Sequence, residues 1–342
     1  MQHLKIYSRQ DVLAHTNPRR FETRLGQQVQ VIKNPKDLEE SLQQTSARYI
    51  LVGVPEWIGI KANHGYCNEA SAWQPFLESF LSSQSNDFLG GEEILLLGHF
   101  DFSEVDDVIE QSAQTIDEKV DAYRHAVNMI DDEVEQLIHI ITQNRKLPIV
   151  VGGGQNNAYP CIKGAAKGWF KSGVIPIAQI NAINVDACPD YGPMEGRHSG
   201  NAFSYAEEDG YLEKYCVVGL EENQIQQNVW IDMVNNPFID CITYEDIFLH
   251  EKRTFEEAIN HATEFTIDTL CGIELDMNCI ENGTTMPTGI SAKQARQYLH
   301  VAALDSQPAY LHISECSKEN TSSGKLLSFL VTDFVKALQQ GY

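Results

Sequence analysis

Short apolar runs alternate along the chain with longer stretches in which apolar residues recur at helical spacing. Residues 49–54, 93–97, 147–151, 175–185, 216–220, 240–243, 272–275 and 309–313 read as strands. Most of these runs are almost continuously hydrophobic, the pattern of strands covered on both faces. Residues 70–81, 118–141, 255–270, 292–303 and 326–338 carry the three-to-four spacing of amphipathic helices. Strand–helix alternation over the whole length predicts an α/β fold of three layers, α/β/α, around a mostly parallel sheet. No repeat, low-complexity segment or linker rich in Pro, Gly or Ser divides the chain, so residues 1–342 are expected to form one domain.

Composition narrows the partners. Of 342 residues, 42% are hydrophobic and 21% charged, enough to build a sizeable core. A formal net charge of −23 repels nucleic acid and anionic membrane surfaces alike, so neither is an expected partner. The N-terminal Met1-Gln2-His3-Leu4-Lys5 lacks the basic-then-apolar pattern of a signal peptide. No apolar run approaches the roughly 18 residues that a membrane span needs. Eight scattered cysteines form no CxxC pair, which fits a reduced, cytoplasmic setting.

Three polar clusters each follow directly on an expected strand. The first is Gly152-Gly153-Gly154-Gln155-Asn156-Asn157, a sharp turn in which Asn156 or Asn157 is placed to cap the next helix. It lacks the Lys and Ser/Thr of a phosphate loop, which argues against nucleotide binding. The second is Asn184-Val185-Asp186-Ala187-Cys188-Pro189-Asp190, where Asp186, Cys188 and Asp190 are spaced two apart at the end of an apolar run. In the third, Gly272-Ile273-Glu274-Leu275-Asp276-Met277-Asn278, Glu274 and Asp276 share one face of a core strand. Ligands gather at the carboxyl ends of parallel strands, so up to four carboxylates are expected to converge there. Like charges that close need a compensating cation, and an oxygen-rich set suits Mn²⁺, Mg²⁺ or Ca²⁺. Exposed loop acids, and a plain strand-to-helix turn for the glycines, are the bland alternatives.

The ordered set resembles the arginase, agmatinase and formimidoylglutamase (ureohydrolase) family. That family pairs a Gly-Gly-x-His loop, an Asp-x-His-x-Asp strand end and a later Asp-x-Asp strand end around two Mn²⁺ ions. The corresponding segments here are Gly152 to Gln155, Asp186 to Asp190 and Glu274 to Asp276. Val52-Gly53-Val54-Pro55-Glu56-Trp57-Ile58-Gly59, Arg197-His198-Ser199-Gly200-Asn201-Ala202-Phe203 and Pro287-Thr288-Gly289-Ile290 resemble the formimidoylglutamase branch in particular. The similarity spans about residues 45 to 340, and no motif of it falls in the first 40. It implies an arginase-like fold and a homo-oligomer.

The departures fall on the ligands. Gln155 and Cys188 stand where the family has histidines, and Glu274 replaces an aspartate. Carried over residue by residue, Asp186, Asp190 and Glu274 hold one metal with Gln155. Asp186, Glu274 and Asp276 hold the other with Cys188. A neutral amide is a poor ligand, and a thiolate favours Zn²⁺ over Mn²⁺. The resemblance therefore supports one weakened hard-cation site better than an intact pair. The reaction it implies is metal-assisted hydrolysis of a C–N bond in a linear amidine, of formimidoylglutamate or guanidino type. His198 is the expected proton donor to the leaving amine, although the match also reads one residue over onto Ser199. Glu315 would receive the substrate's cationic group, and Ser199 and Asn201 would bind substrate. Loss of both histidines supports the rival expectation, a catalytically inactive relative with a scaffold, sensing or regulatory role.

Overall fold

The computed structural model describes residues 1–64, 71–281, 287–317 and 323–340. Expected helix residue 70 and Cys67 lie outside them. Nine strands form one sheet: β1 (Leu4–Ile6), β2 (Tyr49–Gly53), β3 (Ile94–Phe100), β4 (Leu147–Val151), β5 (Ile180–Val185), β6 (Leu212–Leu220), β7 (Ile239–Thr243), β8 (Cys271–Asp276) and β9 (Pro308–Ser314). Their order is β1-β3-β2-β4-β9-β8-β5-β6-β7, and only β1 runs antiparallel, against β3. Helices cover both faces, giving the three α/β/α layers.

The continuous apolar runs work as the pattern implies. Along β8, Ile273 and Leu275 join the core on one face, together with Leu311 and Ile313 of β9. Ile50 and Val52 of β2 and Val217 of β6 join the core on the other face. Helices Trp73–Leu81, Phe255–Phe265, Ala292–Asp305 and Ser323–Gln340 close the first layer. Helices Ile116–Gln143, Ala158–Lys171 and Ala202–Glu208 close the second.

The departures from expectation have local causes. Strand 175–185 begins only at Ile180, because Pro176 cannot donate to a ladder. Helix 255–270 stops at Phe265, and Thr266 turns its hydroxyl back to Ala262 O at 2.9 Å. Helix Ala158–Lys171 is expected only as the unbounded helix after the glycine turn and not from apolar spacing, since Pro160, Gly164 and Gly168 lower its propensity. Pro160 lies in the first turn, where no N–H is needed. The glycines let the helix press on Ile116–Gln143: a Cβ on Gly164 would stand 2.7 Å from Glu135 O, and one on Gly168 2.7 Å from His139 O. Residues 4–6 and the short helices Arg9–Ala14, Leu25–Gln28 and Leu38–Gln44 occupy the motif-free N-terminal stretch. Among the described residues no helix is long and apolar enough to cross a membrane.

The topology sets the site. β8 and β9 insert between β4 and β5, so four parallel strands deliver their carboxyl ends side by side. β4 brings the glycine loop, β9 brings Glu315, β8 brings Asp276, and β5 brings Asp186.

Candidate metal and substrate site

Beyond β4 the chain turns through Gly152 (φ +97°) and Gly153 (φ +79°), a backbone region that side chains disfavour. A Cβ on Gly153 would come within 2.7 Å of Val54 O. The turn is clasped by Glu56, which is buried. Its carboxylate accepts from Gly154 N–H at 3.3 Å, Asn156 Nδ2 at 3.2 Å, Asn157 Nδ2 at 2.7 Å and Gly59 N–H at 3.2 Å. This is what the Pro55-Glu56-Trp57 segment does. It also corrects the capping role expected of Asn156 and Asn157, whose amides turn to Glu56 instead of to the helix Ala158–Lys171.

At the end of β5, Asp186 accepts Cys188 N–H at 2.9 Å and Asn184 Nδ2 at 3.2 Å. The backbone then turns, and Asp190 adopts a left-handed conformation (φ +44°) that brings its carboxyl back to hydrogen-bond Asp186. Asp276, at the end of β8, accepts Asn278 N–H at 2.6 Å. Ligand oxygens of Asp186, Asp190 and Asp276 lie within 4.8 Å of one another. Burial first, and mutual repulsion with Glu315 nearby, push Asp190 and Asp276 well above the usual carboxylate range. Burial also raises Asp186. Three crowded carboxyls hold protons unless a cation replaces them.

Glu274 lies one rung deeper, on the same face of β8. It is 0% exposed. Tyr310 hydroxyl donates to its Oε1 at 2.7 Å, while His312 Nδ1 (2.6 Å) and Gln155 Nε2 (3.2 Å) meet its Oε2. Glu274, expected as a ligand, therefore lies outside the Asp186–Asp190–Asp276 group and meets Gln155, whose amide N–H donates to it. Buried Gln155 Oε1 and Asn184 Oδ1 have no hydrogen-bond partner.

A pocket of about 240 Å³ opens beside the acids, lined by Asn63, Cys188, Asp190, His198, Gly200 and Gln224 among others. Cys188 is half-buried, and burial plus the surrounding carboxylates hold its thiol far above the usual range, so it is not a thiolate. His198 Nδ1 accepts Gly200 N–H at 3.1 Å, which leaves the ring proton on Nε2. That Nε2 has no hydrogen-bond partner and stands 3.6 Å from Glu195 Oε1. Burial, then Arg124, lowers His198 to about 4, so at neutral pH it is an uncharged donor rather than an imidazolium acid.

The remaining expected residues fall nearby. Ser199 is buried at the start of a short turn. Asn201 is spent inside its own loop: Oδ1 accepts from Arg197 Nη1 (2.8 Å) and His198 N–H (3.1 Å), and Nδ2 donates to Pro193 O (3.1 Å) and Gly196 O (2.8 Å). Glu315, left-handed at φ +52°, sends its N–H to Gly153 O at 2.7 Å and accepts from Asn278 Nδ2. Arg197 is the residue that sequence reasoning passed over. Its buried guanidinium donates to Asp131 Oδ2 (2.9 Å), Asn201 Oδ1 and Asn156 O (2.9 Å), with its centre 4.5 Å from the Tyr159 ring and 4.9 Å from the Tyr205 ring. It ties the glycine loop to the His198 loop. Its place directly before His198, in the segment that resembles formimidoylglutamases, was the available signal.

A mostly parallel sheet with acids at three neighbouring strand ends belongs to the α/β class in which ligands gather at the carboxyl edge. The arginase family profile matches residues 92–337, and the chain belongs to that family. Formimidoylglutamase of Streptococcus pyogenes is 24% identical over 220 residues, a match spanning 63% of this chain and 61% of that protein. Among solved structures, formimidoylglutamase from Bacillus subtilis superposes with a TM-score of 0.70 at 14% identity, covering 95% of this chain and 94% of the other. Trypanosoma cruzi formiminoglutamase, solved with Mn²⁺, gives 0.68 at 18% identity, covering 92% and 98%.

Proposed function

We propose that this chain binds one hard divalent cation through Asp186, Asp190 and Asp276 and hydrolyses a C–N bond of a small linear amidine. Formimidoylglutamate- or guanidino-type compounds are the substrate class that its formimidoylglutamase relatives suggest. The observation that carries this reading is the convergence of three carboxyls within 4.8 Å beside a small polar pocket. All-oxygen donors of this kind suit Mn²⁺ or Mg²⁺. A second cation is not supported, because Gln155 turns an N–H toward Glu274 and Glu274 is taken up by Tyr310 and His312.

A cation bound to the three aspartates would supply Lewis acidity and lower the pKa of a neighbouring water. The protein's own groups do the rest. Glu195, which lines the pocket, and Glu315, close to the three aspartates, make this side attractive to a cationic amidinium. His198 offers its Nε2 proton as a hydrogen bond that orients an acceptor on the substrate. The hydrogen bond that joins Asp186 and Asp190 in the metal-free chain would give way as a cation takes the place of its proton. The products are an amine and a small amide or urea.

The test is turnover of a formimino and guanidino panel by the full chain at saturating Mn²⁺, Mg²⁺ or Zn²⁺. Metal-dependent release of amide or urea is expected, and it should vanish in Asp276→Asn. No turnover with any pair would sink the catalytic part. A second reading, an inactive relative that senses or scaffolds, is favoured by the engagement of Glu274 and the uncharged state of His198. Amidine binding without turnover would select it.

A further inference from the structure

Acids on neighbouring strands fall into two rungs across the middle of the sheet. Register aligns Asn184 of β5 with Glu274 of β8 and with His312 of β9, and one pleat further out Asp276 with Ser314. The inner rung is fully buried. Glu274 receives three donors from two different elements, two on β9 and one on the glycine loop. His312 is itself 0% exposed and turns its other ring nitrogen to Gly152 O at 3.4 Å, so it also links the carboxylate to that loop. The arrangement is built for this contact: Tyr310 lies over Gly272, where an added Cβ would stand 2.5 Å from the phenol ring. Only glycine there lets the hydroxyl reach Glu274.

We infer that a side-chain clamp of Tyr310, His312 and Gln155 occupies the place of the second cation, and that it holds Glu274 away from the metal edge. This rests on the one-cation reading above for its contrast but not for its test. Oε2 of Glu274 already takes two donors and Oε1 one, so carrying this carboxylate out to a metal gives up hydrogen bonds and strands buried donors. The barrier to a two-metal centre is therefore the engagement of Glu274 and not merely the missing imidazoles. Restoring the imidazoles alone replaces Gln155 but leaves the Tyr310 and His312 contacts in place.

The experiment counts Mn²⁺ per chain by equilibrium dialysis and elemental analysis in matched variants. Gln155→His with Cys188→His is expected to hold the same number of ions as the unaltered chain. Adding Tyr310→Phe and His312→Leu to that pair is expected to add one ion per chain. Adding Glu274→Asp instead, which withdraws the carboxyl by one methylene, is expected to do the same with less disturbance of the core. Thermal melting identifies which variants are folded, and the gentler route stands if the first fails. A gain of one ion by the two histidines alone would overturn the clamp, as would no gain in a folded variant carrying Glu274→Asp. Zero ions in the unaltered chain would refute the three-aspartate site while leaving these increments readable.

Discussion

The outer and inner acids of this sheet differ in who answers them. Asp186, Asp190 and Asp276 answer mainly one another and a few backbone N–H groups, and burial drives their carboxyls upward. Glu274 is buried more completely, yet Tyr310, His312 and Gln155 answer it. A buried acid asks for a cation only when the protein has not already supplied donors. Counting acids on a strand is thus a poor guide to counting metals.

The largest expected effect lies in the scaffold common to both regions. Arg197→Ala leaves Asp131 buried and unpaired and unties two loops, and should cost about 3–5 kcal/mol in denaturant unfolding. A smaller loss would mean that the loops hold without their tie. Next comes a crossed pair. Asp186→Asn should weaken Mn²⁺ binding by at least about 10 to 100-fold, with metal-free stability unchanged or higher. Glu274→Gln should cost about 1–3 kcal/mol of stability, with Mn²⁺ affinity nearly unchanged. Reversed outcomes would dissolve the distinction between the rungs.

Much of this was legible in the chain. The eight central and outer strands show as apolar runs, and three of the four polar strand ends show as clusters. The partners of Glu274 do not show, because His312 and Tyr310 sit inside an apolar run, residues 309–313, that reads as plain core. Whether their side chains face Glu274 depends on β8 pairing with β9, a contact between elements that spacing along one strand does not encode. Asn201 misleads for a related reason, since a motif position beside His198 reads as ligand-binding while its amide is consumed by the loop. Helix Ala158–Lys171 is hidden from apolar spacing because its glycines serve a neighbour rather than the helix itself.

The pH dependence sharpens the outer region. Unfolded aspartates release protons near about 4, whereas the folded cluster keeps them to higher pH. Over that interval the folded state binds more protons, so metal-free stability falls as pH rises from about 4 through the raised values. Saturating Mn²⁺ should flatten the fall, and an identical slope with and without metal would speak against binding there. His198 acts in the opposite sense: its lowered value, about 4, makes stability drop as pH falls from about 6.5. The variant His198→Gln should remove that acid-side component. The smallest effect belongs to Cys188→Ser, which should change stability by about 1 kcal/mol or less and leave Mn²⁺ affinity alone. A strong loss of Zn²⁺ binding would restore the thiolate to the site.

Electron paramagnetic resonance of the full chain, titrated with Mn²⁺ from below one equivalent to several, tests the division of the site most directly. One tightly bound ion per chain with an isolated six-line spectrum is the predicted result. A spin-coupled pair at two equivalents would contradict it, and so would the absence of any tightly bound ion.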